Sequence, residues 1–290
     1  MRSSLPDDYG FIRLQDKILE IMVFVDNVCR KNNIEYCLMG GSALGAKRHG
    51  GFIPWDDDLD IFMTPDNYDR FKQALKNDPD STKFYLQEWG KCDNMVTIAK
   101  VRMDKTTYIE ESFRTWDIHQ GIYIDIFILH RCPANKFQQI IQCFWAKYAV
   151  MKGLALRNYN RRGGMVTVIL KLMRAMPDHF LLKHALKQVY KYRSESIDYY
   201  CNFMGKAFFK QGIYKKEWFE RTKDCLFETV VLKVPEGLEA FLTERFGDYM
   251  TPPAPDRIKW EQHAEAWDTE IDYQQFLGRK CEFKDECKLI

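Results

Sequence analysis

The segment from Gly51 to Met63, GFIPWDDDLDIFM, sets the hardest condition on how this chain can fold. Four carboxylates, Asp56, Asp57, Asp58 and Asp60, fall within five positions and give way at once to Ile61 and Phe62. On a strand, alternation turns Asp58 and Asp60 to one face, with about 7 Å of backbone rise between them. Carboxylates that close repel each other, and without a cation one of them tends to take up a proton near neutrality. A solvated acidic loop is the ordinary fate of an isolated D-x-D, but the apolar residues that follow here carry the strand into a core. A calcium loop of the EF-hand type would also use Asp56, Asp58 and Asp60. It needs a glycine at its sixth position and a glutamate at its twelfth, which Ile61 and the residues up to Tyr68 do not supply.

Two further pieces complete a constellation. The apolar stretch IEYCLM runs into Gly40, Gly41 and Ser42, which read as a tight turn opening a helix. Asp125 stands alone inside GIYIDIFIL, between Ile124 and Ile126, where burial without compensation would be costly. A metal shared with Asp58 and Asp60 would provide that compensation. Backbone N–H groups at a helix N-terminus attract an anion, and carboxylates hold Mg²⁺ against phosphate oxygens, so the parts together describe a phosphoryl-transfer site. Glycine-glycine-serine by itself would be no more than a turn. Lys100 and Arg102, two positions apart on the strand before Asp125, are placed either to neutralise phosphate or to face solvent from an edge strand.

Hydrophobic residues make up 46% and aromatic residues 14% of the 290, enough for a sizeable core. From Leu14 to Asn32 the residues Ile18, Ile21, Met22, Val25 and Val28 recur at helical spacing. Strands are expected in DLDIFM, FYLQEW, MVTIAKVRM and GIYIDIFIL, and a helix over 65–77 opened by Pro65. The pattern is α+β: a mixed sheet flanked by helices. From Asn135 onward the texture is helical, broken at Gly163-Gly164 and Pro177, and the tail reads as a strand pair followed by a helix from about Glu236. The expected division is a core over 1–130, a helical lobe over 131–205 and a C-terminal part over 206–290 that packs back on the core.

Charge is unevenly distributed. Residues 131–193 hold 13 Lys and Arg against the single acid Asp178, whereas the whole chain is +2, so the remainder is −10. These bases are interleaved with Phe144, Trp145, Met151, Val168 and Met173, a pattern suited to an anionic bilayer and equally to an ordinary solvated helix face. Lys147, Lys152, Arg157, Arg161, Arg162, Lys171 and Arg174 are the bases in question. No nucleic-acid partner is expected. The nine cysteines include no C-x-x-C pair and read as free thiols rather than a disulfide framework or zinc site. The opening residues lack a basic start followed by a long apolar run, so a cytoplasmic location is expected, peripheral on the inner membrane face if the basic segment docks there. Trp55, Trp89 and Trp116 could wall a cation but read first as core residues. His119, His130, His179 and His184 have no metal-like spacing and are expected at the surface or at caps.

Taken together, GGSALGAKRHGGFIPWDDDLDIFM, GIYIDIFIL and FGDYMTPPAPDR, with His263 beyond, resemble the LicD family of the nucleotidyltransferase superfamily. The resemblance runs from about Leu14 to Asp268. It implies a nucleotidyltransferase-like fold and transfer of phosphocholine from CDP-choline to a sugar hydroxyl of a cell-surface glycan, such as lipopolysaccharide or teichoic acid, or of its lipid-linked precursor. It further implies that Asp58, Asp60 and Asp125 hold Mg²⁺, or Mn²⁺ in its place, and are catalytic. Gly40, Gly41 and Ser42 then match the phosphate-binding turn, Arg48 and His49 match phosphate contacts, and Asp56 an outer partner; Lys100 and Arg102 are added from their spacing. The related fukutin-type ribitol-phosphate transferases carry zinc-binding cysteines that have no counterpart here. Phosphoethanolamine and aminoethylphosphonate are alternative head groups. Rival readings are a metal-dependent glycosyltransferase using the same D-x-D, a nucleotidyltransferase proper, and a non-catalytic protein that binds anionic polymers.

Overall fold

The computed structural model describes residues 7–88, 98–114, 116–156, 164–175, 178–207, 209–254 and 262–276. Helix α1 (Ile12–Lys31) buries Leu14, Ile18, Met22, Val25 and Cys29, the face that the spacing selects. Strand β1 (Cys37–Leu38) leads into α2 (Gly40–Arg48). Strand β2 (Asp60–Met63) then leads into α3 (Pro65–Asn77), whose first turn is capped by the Thr64 hydroxyl accepting from the Asn67 N–H. Strands β3 (Phe84–Gln87) and β4 (Ala99–Met103), the short β5 (Thr107–Ile109) and β6 (Tyr123–Ile128) follow.

The main sheet has the order β1-β2-β6-β4-β3. Only β2 and β6 run parallel, so the sheet is mixed, as the pattern predicts. Helix α1 packs on β4 and β6, and α3 on β2. The expectation that β4 could be an edge strand fails. It lies between β6 and β3, and both Lys100 and Arg102 are buried on it.

After β7 (His130–Cys132) come α4 (Lys136–Leu156), α5 (Met165–Ala175) and α6 (Asp178–Val189). Helix α4 packs against both α5 and α6. Cys132, Ala146, Val189, Cys201 and Phe203 form a small apolar cluster of their own beneath these helices. Strands β8 (Tyr199–Cys201) and β9 (Ile213–Lys215) join β7 in a three-stranded sheet that the sequence reading did not foresee.

The C-terminal part returns to the main core. The hairpin of β10 (Thr222–Phe227) and β11 (Val230–Pro235) buries Phe227, Leu232 and Val234, and α7 (Leu238–Phe246) buries Phe241 and Leu242. Phe62, on the Asp60 face of β2, meets the rings of Phe219 and Phe241 at 5.8 and 6.2 Å. Strand β12 (Ala266–Asp268) pairs antiparallel with β5, Trp267 opposite Tyr108, and so draws residues 262–276 across the sheet end where the aspartates lie. Cys29, Cys37, Cys132 and Cys201 are buried free thiols, and no helix among the described residues is long and apolar enough to cross a membrane.

Candidate active site

Strand register decides which side chains meet. Asp60 on β2 lies directly opposite Asp125 on β6, and Lys100 on β4 lies opposite Asp125 from the other side. Opposed residues share a face, so the three converge. The Asp125 N–H donates to the Leu59 carbonyl at 2.9 Å, continuing the pairing back toward Asp58.

Lys100 holds its Nζ 2.8 Å from Asp125 Oδ1 and 3.7 Å from Glu110 Oε1, over the Tyr123 ring at 3.3 Å. It is 3% exposed, so it is an internal counter-charge. Arg102 is buried as well, but its guanidinium donates to Gln87 Oε1 at 2.8 Å and to the Gly121 carbonyl at 2.7 Å. Burial moves its pKa below the ordinary arginine value. Of the two bases, Lys100 adjoins the carboxylates while Arg102 is committed to loop and strand.

Asp60 is the most stressed of the acids. Its Oδ1 is buried with no hydrogen-bond partner among the described residues. Burial, then the charges of Asp58 and Asp125, push its pKa well above the ordinary carboxylate range. Asp125 is pushed up too, by burial first, against the opposing pull of Lys100. A dry carboxylate oxygen without a donor, with two further carboxylates acting on it, fits a hard divalent cation such as Mg²⁺.

The start of α2 closes one side of the site. Met39 is extended, and Gly40 has φ +53°, the left-handed region that glycine enters without a Cβ penalty. The Asp60 N–H donates to Ser42 Oγ at 2.8 Å, and the Met39 N–H donates to the Asp60 carbonyl at 3.0 Å. Ser42 therefore anchors β2 to the helix. A Cβ on Gly41 would come within 2.9 Å of Asp56 Oδ2, so glycine there lets a carboxylate rest against the helix N-terminus. Arg48 and His49 are not brought to this place. They end α2, about 12 Å along its axis, where Arg48 donates to the Tyr249 carbonyl at 2.9 Å and His49 is exposed.

Sequence reasoning gave no role to two residues that the fold adds. Asp57 is fully buried; its Oδ2 accepts the N–H groups of His263 at 2.7 Å and Ala264 at 2.8 Å, and its Oδ1 lies 3.1 Å from His263 Nδ1. His263 Nδ1 is also 3.3 Å from Asp58 Oδ2, and Asp57, Asp58 and His263 form the one group with metal-like spacing among the described residues. Burial disfavours a charged ring, but Asp58 and Asp57 outweigh it and raise the pKa to about 9. Lys206 Nζ, 2.7 Å from Nε2, opposes that charge, so protonating the ring requires Lys206 to withdraw. Nothing in local sequence links positions 57 and 263; the β5–β12 pairing does.

The other aromatic and histidine expectations resolve differently. Trp55 is buried against Tyr9 and His49, and Trp116 packs with Phe113 and Ile118, so these two do not form a shared cage; Trp89 lies outside the described residues. His119 bonds Asp104 at 2.8 Å and stacks on Tyr85, and His184 lies edge-on to Trp145. His130 corrects the expectation of a surface role. It is buried beside the Tyr190 ring, and neither ring nitrogen has a hydrogen-bond partner among the described residues.

With this geometry established, comparison with known proteins adds three observations. Residues 33–151 match the family model described as LicD/FKTN/FKRP, nucleotidyltransferase domain, a range that contains Gly40, Asp58, Asp60, Lys100 and Asp125. The chain is 27% identical over 257 residues, 82% of its length and 91% of the relative's, to the lipopolysaccharide cholinephosphotransferase LicD of Haemophilus influenzae. It is also 25% identical over 183 residues to an uncharacterised protein of Rickettsia prowazekii, covering 63% of this chain and 48% of that one. The domain match over residues 33–151 and the near full-length similarity together support a phosphotransferase of the LicD type.

Proposed function

We propose that the protein transfers a phosphorylated head group, phosphocholine first among the candidates, from a CDP-linked donor to a hydroxyl of a surface glycan or its lipid-linked precursor. The reading combines a mixed α/β core, whose residues 33–151 match a family model described as a nucleotidyltransferase domain, with the name of the Haemophilus influenzae relative, a lipopolysaccharide cholinephosphotransferase. The observation that carries it is the in-register facing of Asp60 and Asp125, with an unpartnered, buried Asp60 oxygen between charged neighbours. Such an arrangement is costly unless a ligand resolves it.

In this reading Asp58, Asp60 and Asp125 would hold the divalent cation. When bound, Mg²⁺ supplies Lewis-acid polarisation of the donor phosphates. The residues themselves do the rest. The N-terminus of α2 offers backbone N–H groups to a phosphate oxygen, and the absence of a side chain on Gly41 keeps room beside Asp56 at that end. Lys100, 2.8 Å from Asp125, offsets part of the cost of carrying a charge there in a buried setting. The acceptor oxygen bonds to the phosphorus bearing choline, the bond from that phosphorus to the bridging oxygen breaks, CMP leaves, and the acceptor proton passes to a site carboxylate. His263, held by Asp57 beside Asp58, is placed to orient that carboxylate.

The test is a donor panel incubated with the purified protein and scored by mass spectrometry. CMP release from CDP-choline, dependent on added Mg²⁺ and lost in Asp60→Asn, is the expected result. Turnover of a UDP-sugar instead would establish the glycosyltransferase reading, and release of diphosphate would establish nucleotidyl transfer.

A further inference from the structure

Helices α4 and α5 each leave a row of large apolar side chains in solvent. On α4 the row is Phe137, Ile140, Ile141 and Phe144; on α5 it is Met165, Val168, Ile169 and Leu172. Both follow the spacing i, i+3, i+4, i+7, which places each row on one side of its helix. Phe137 is 70% exposed, Phe144 60%, Met165 80% and Leu172 64%. With Phe180 on α6, this lobe holds nine of the fifteen exposed large apolar side chains among the described residues. An ordinary solvated helix face would carry polar residues at these positions.

The charge of the same lobe narrows what covers it. Lys136, Lys171, Lys183, Lys187 and Lys191 are exposed on or next to these helices. Two bases grouped with them on sequence grounds are turned inward: Lys152 is buried and donates to the Met173 carbonyl, and Lys147 donates to the Gly205 and Ala207 carbonyls. Arg157, Arg161 and Arg162 lie outside the described residues. A second copy of the chain docking face to face would bring these five exposed lysines against the same five, a repulsive self-contact. A nucleic acid would match the charge but leave the aliphatic rows in water.

We infer that the α4–α6 lobe seats the protein on an anionic lipid bilayer, with the apolar rows entering the headgroup boundary and the lysines meeting the lipid charge. No described helix is able to span the membrane, so the contact is peripheral. It goes beyond the transfer reading and gives it a geometry in which a lipid-linked acceptor is delivered in two dimensions.

The experiment is cosedimentation of the full chain with vesicles of phosphatidylcholine, with and without phosphatidylglycerol, in the absence of any donor. Binding to the anionic vesicles, weakened by salt, is expected. The pairs Phe137→Ser with Phe144→Ser, and Val168→Ser with Leu172→Ser, should each reduce partition by about tenfold or more. Lys171→Glu with Lys187→Glu changes no apolar contact and should also lower binding, which guards against misfolding of the serine variants. Absence of binding at low salt, or partition unchanged in all three variants, would overturn the inference. So would a dimer in solution that the serine variants dissolve, since the face would then belong to a second copy. Because no donor is present, failure here leaves phosphotransfer intact, and failure of phosphotransfer leaves the vesicle result standing.

Discussion

Asp57 holds His263 from 206 positions away, its two carboxylate oxygens occupied by the backbone N–H of His263, that of Ala264, and the His263 ring. The clamp does two things at once. It fixes the C-terminal segment to the sheet end, and it sets an imidazole 3.3 Å from Asp58.

Asp57→Asn keeps one acceptor and turns an amide donor toward groups that already donate. With the residue fully buried, the cost is about 2–3 kcal/mol, read as a lower unfolding midpoint in urea. His263→Ala leaves both backbone N–H bonds to Asp57 intact, so it should cost much less stability. A loss of turnover in His263→Ala at unchanged donor affinity would show that the ring, and not merely the clamp, serves transfer.

Asp60→Asn should separate stability from function. The Asp60 Oδ1 is shielded from solvent and has no partner among the described residues, and the carboxylate is pressed by Asp58 and Asp125. Removing its charge relieves that repulsion in the metal-free protein, so the variant's melting temperature is expected to equal or exceed that of the parent. Added Mg²⁺ should raise the parent's melting temperature and leave the variant's unchanged. Transfer should fall by about a hundredfold or more. A variant that melts lower without metal and still responds to Mg²⁺ would show that the cation is held elsewhere.

Local pattern reads well wherever local chemistry decides the outcome. Helix α3 occupies 65–77 as expected because Thr64, Pro65 and the apolar period agree, and α1 buries the face that its spacing selects. Asp60 and Asp125 were singled out from their own neighbourhoods, and strand register brings them opposite one another. What the sequence hid was long-range pairing. The β5–β12 ladder joins Thr107–Ile109 to Ala266–Asp268, segments too short to announce themselves as strands, and that ladder helps carry His263 to Asp57. The position of β4 inside the sheet was hidden for the same reason: two bases at alternate positions look the same on an edge strand and on a buried strand facing carboxylates.

Lys100→Met tests the internal counter-charge. It strands Asp125, 7% exposed, without the ammonium 2.8 Å away. Removing one partner of a buried pair costs about 3–5 kcal/mol. Adding Asp125→Asn to Lys100→Met removes the orphaned charge and should recover much of that loss. A double-mutant cycle by urea unfolding would measure the coupling, and additive effects would show that the pair does not act as a unit.

His130 gives the fold a defined response to acid. Burial lowers its pKa from 6.5 to about 3 in the folded chain. Above the unfolded value neither state binds the proton, and the native state keeps its full stability. As pH falls below that value the unfolded chain takes up a proton that the folded chain refuses, so stability declines at about 1.4 kcal/mol per pH unit until the folded pKa is reached. His130→Leu, which also removes two unpartnered buried nitrogens, should match or exceed the parent in stability at neutral pH and lose less on acidification. Urea unfolding at pH 7 and pH 5.5 should show a gap between the two proteins that widens by about 1.4 kcal/mol at the lower pH. An unchanged gap would mean that His130 reaches a proton acceptor or water in the folded state, and that the acid response belongs to the carboxylates alone.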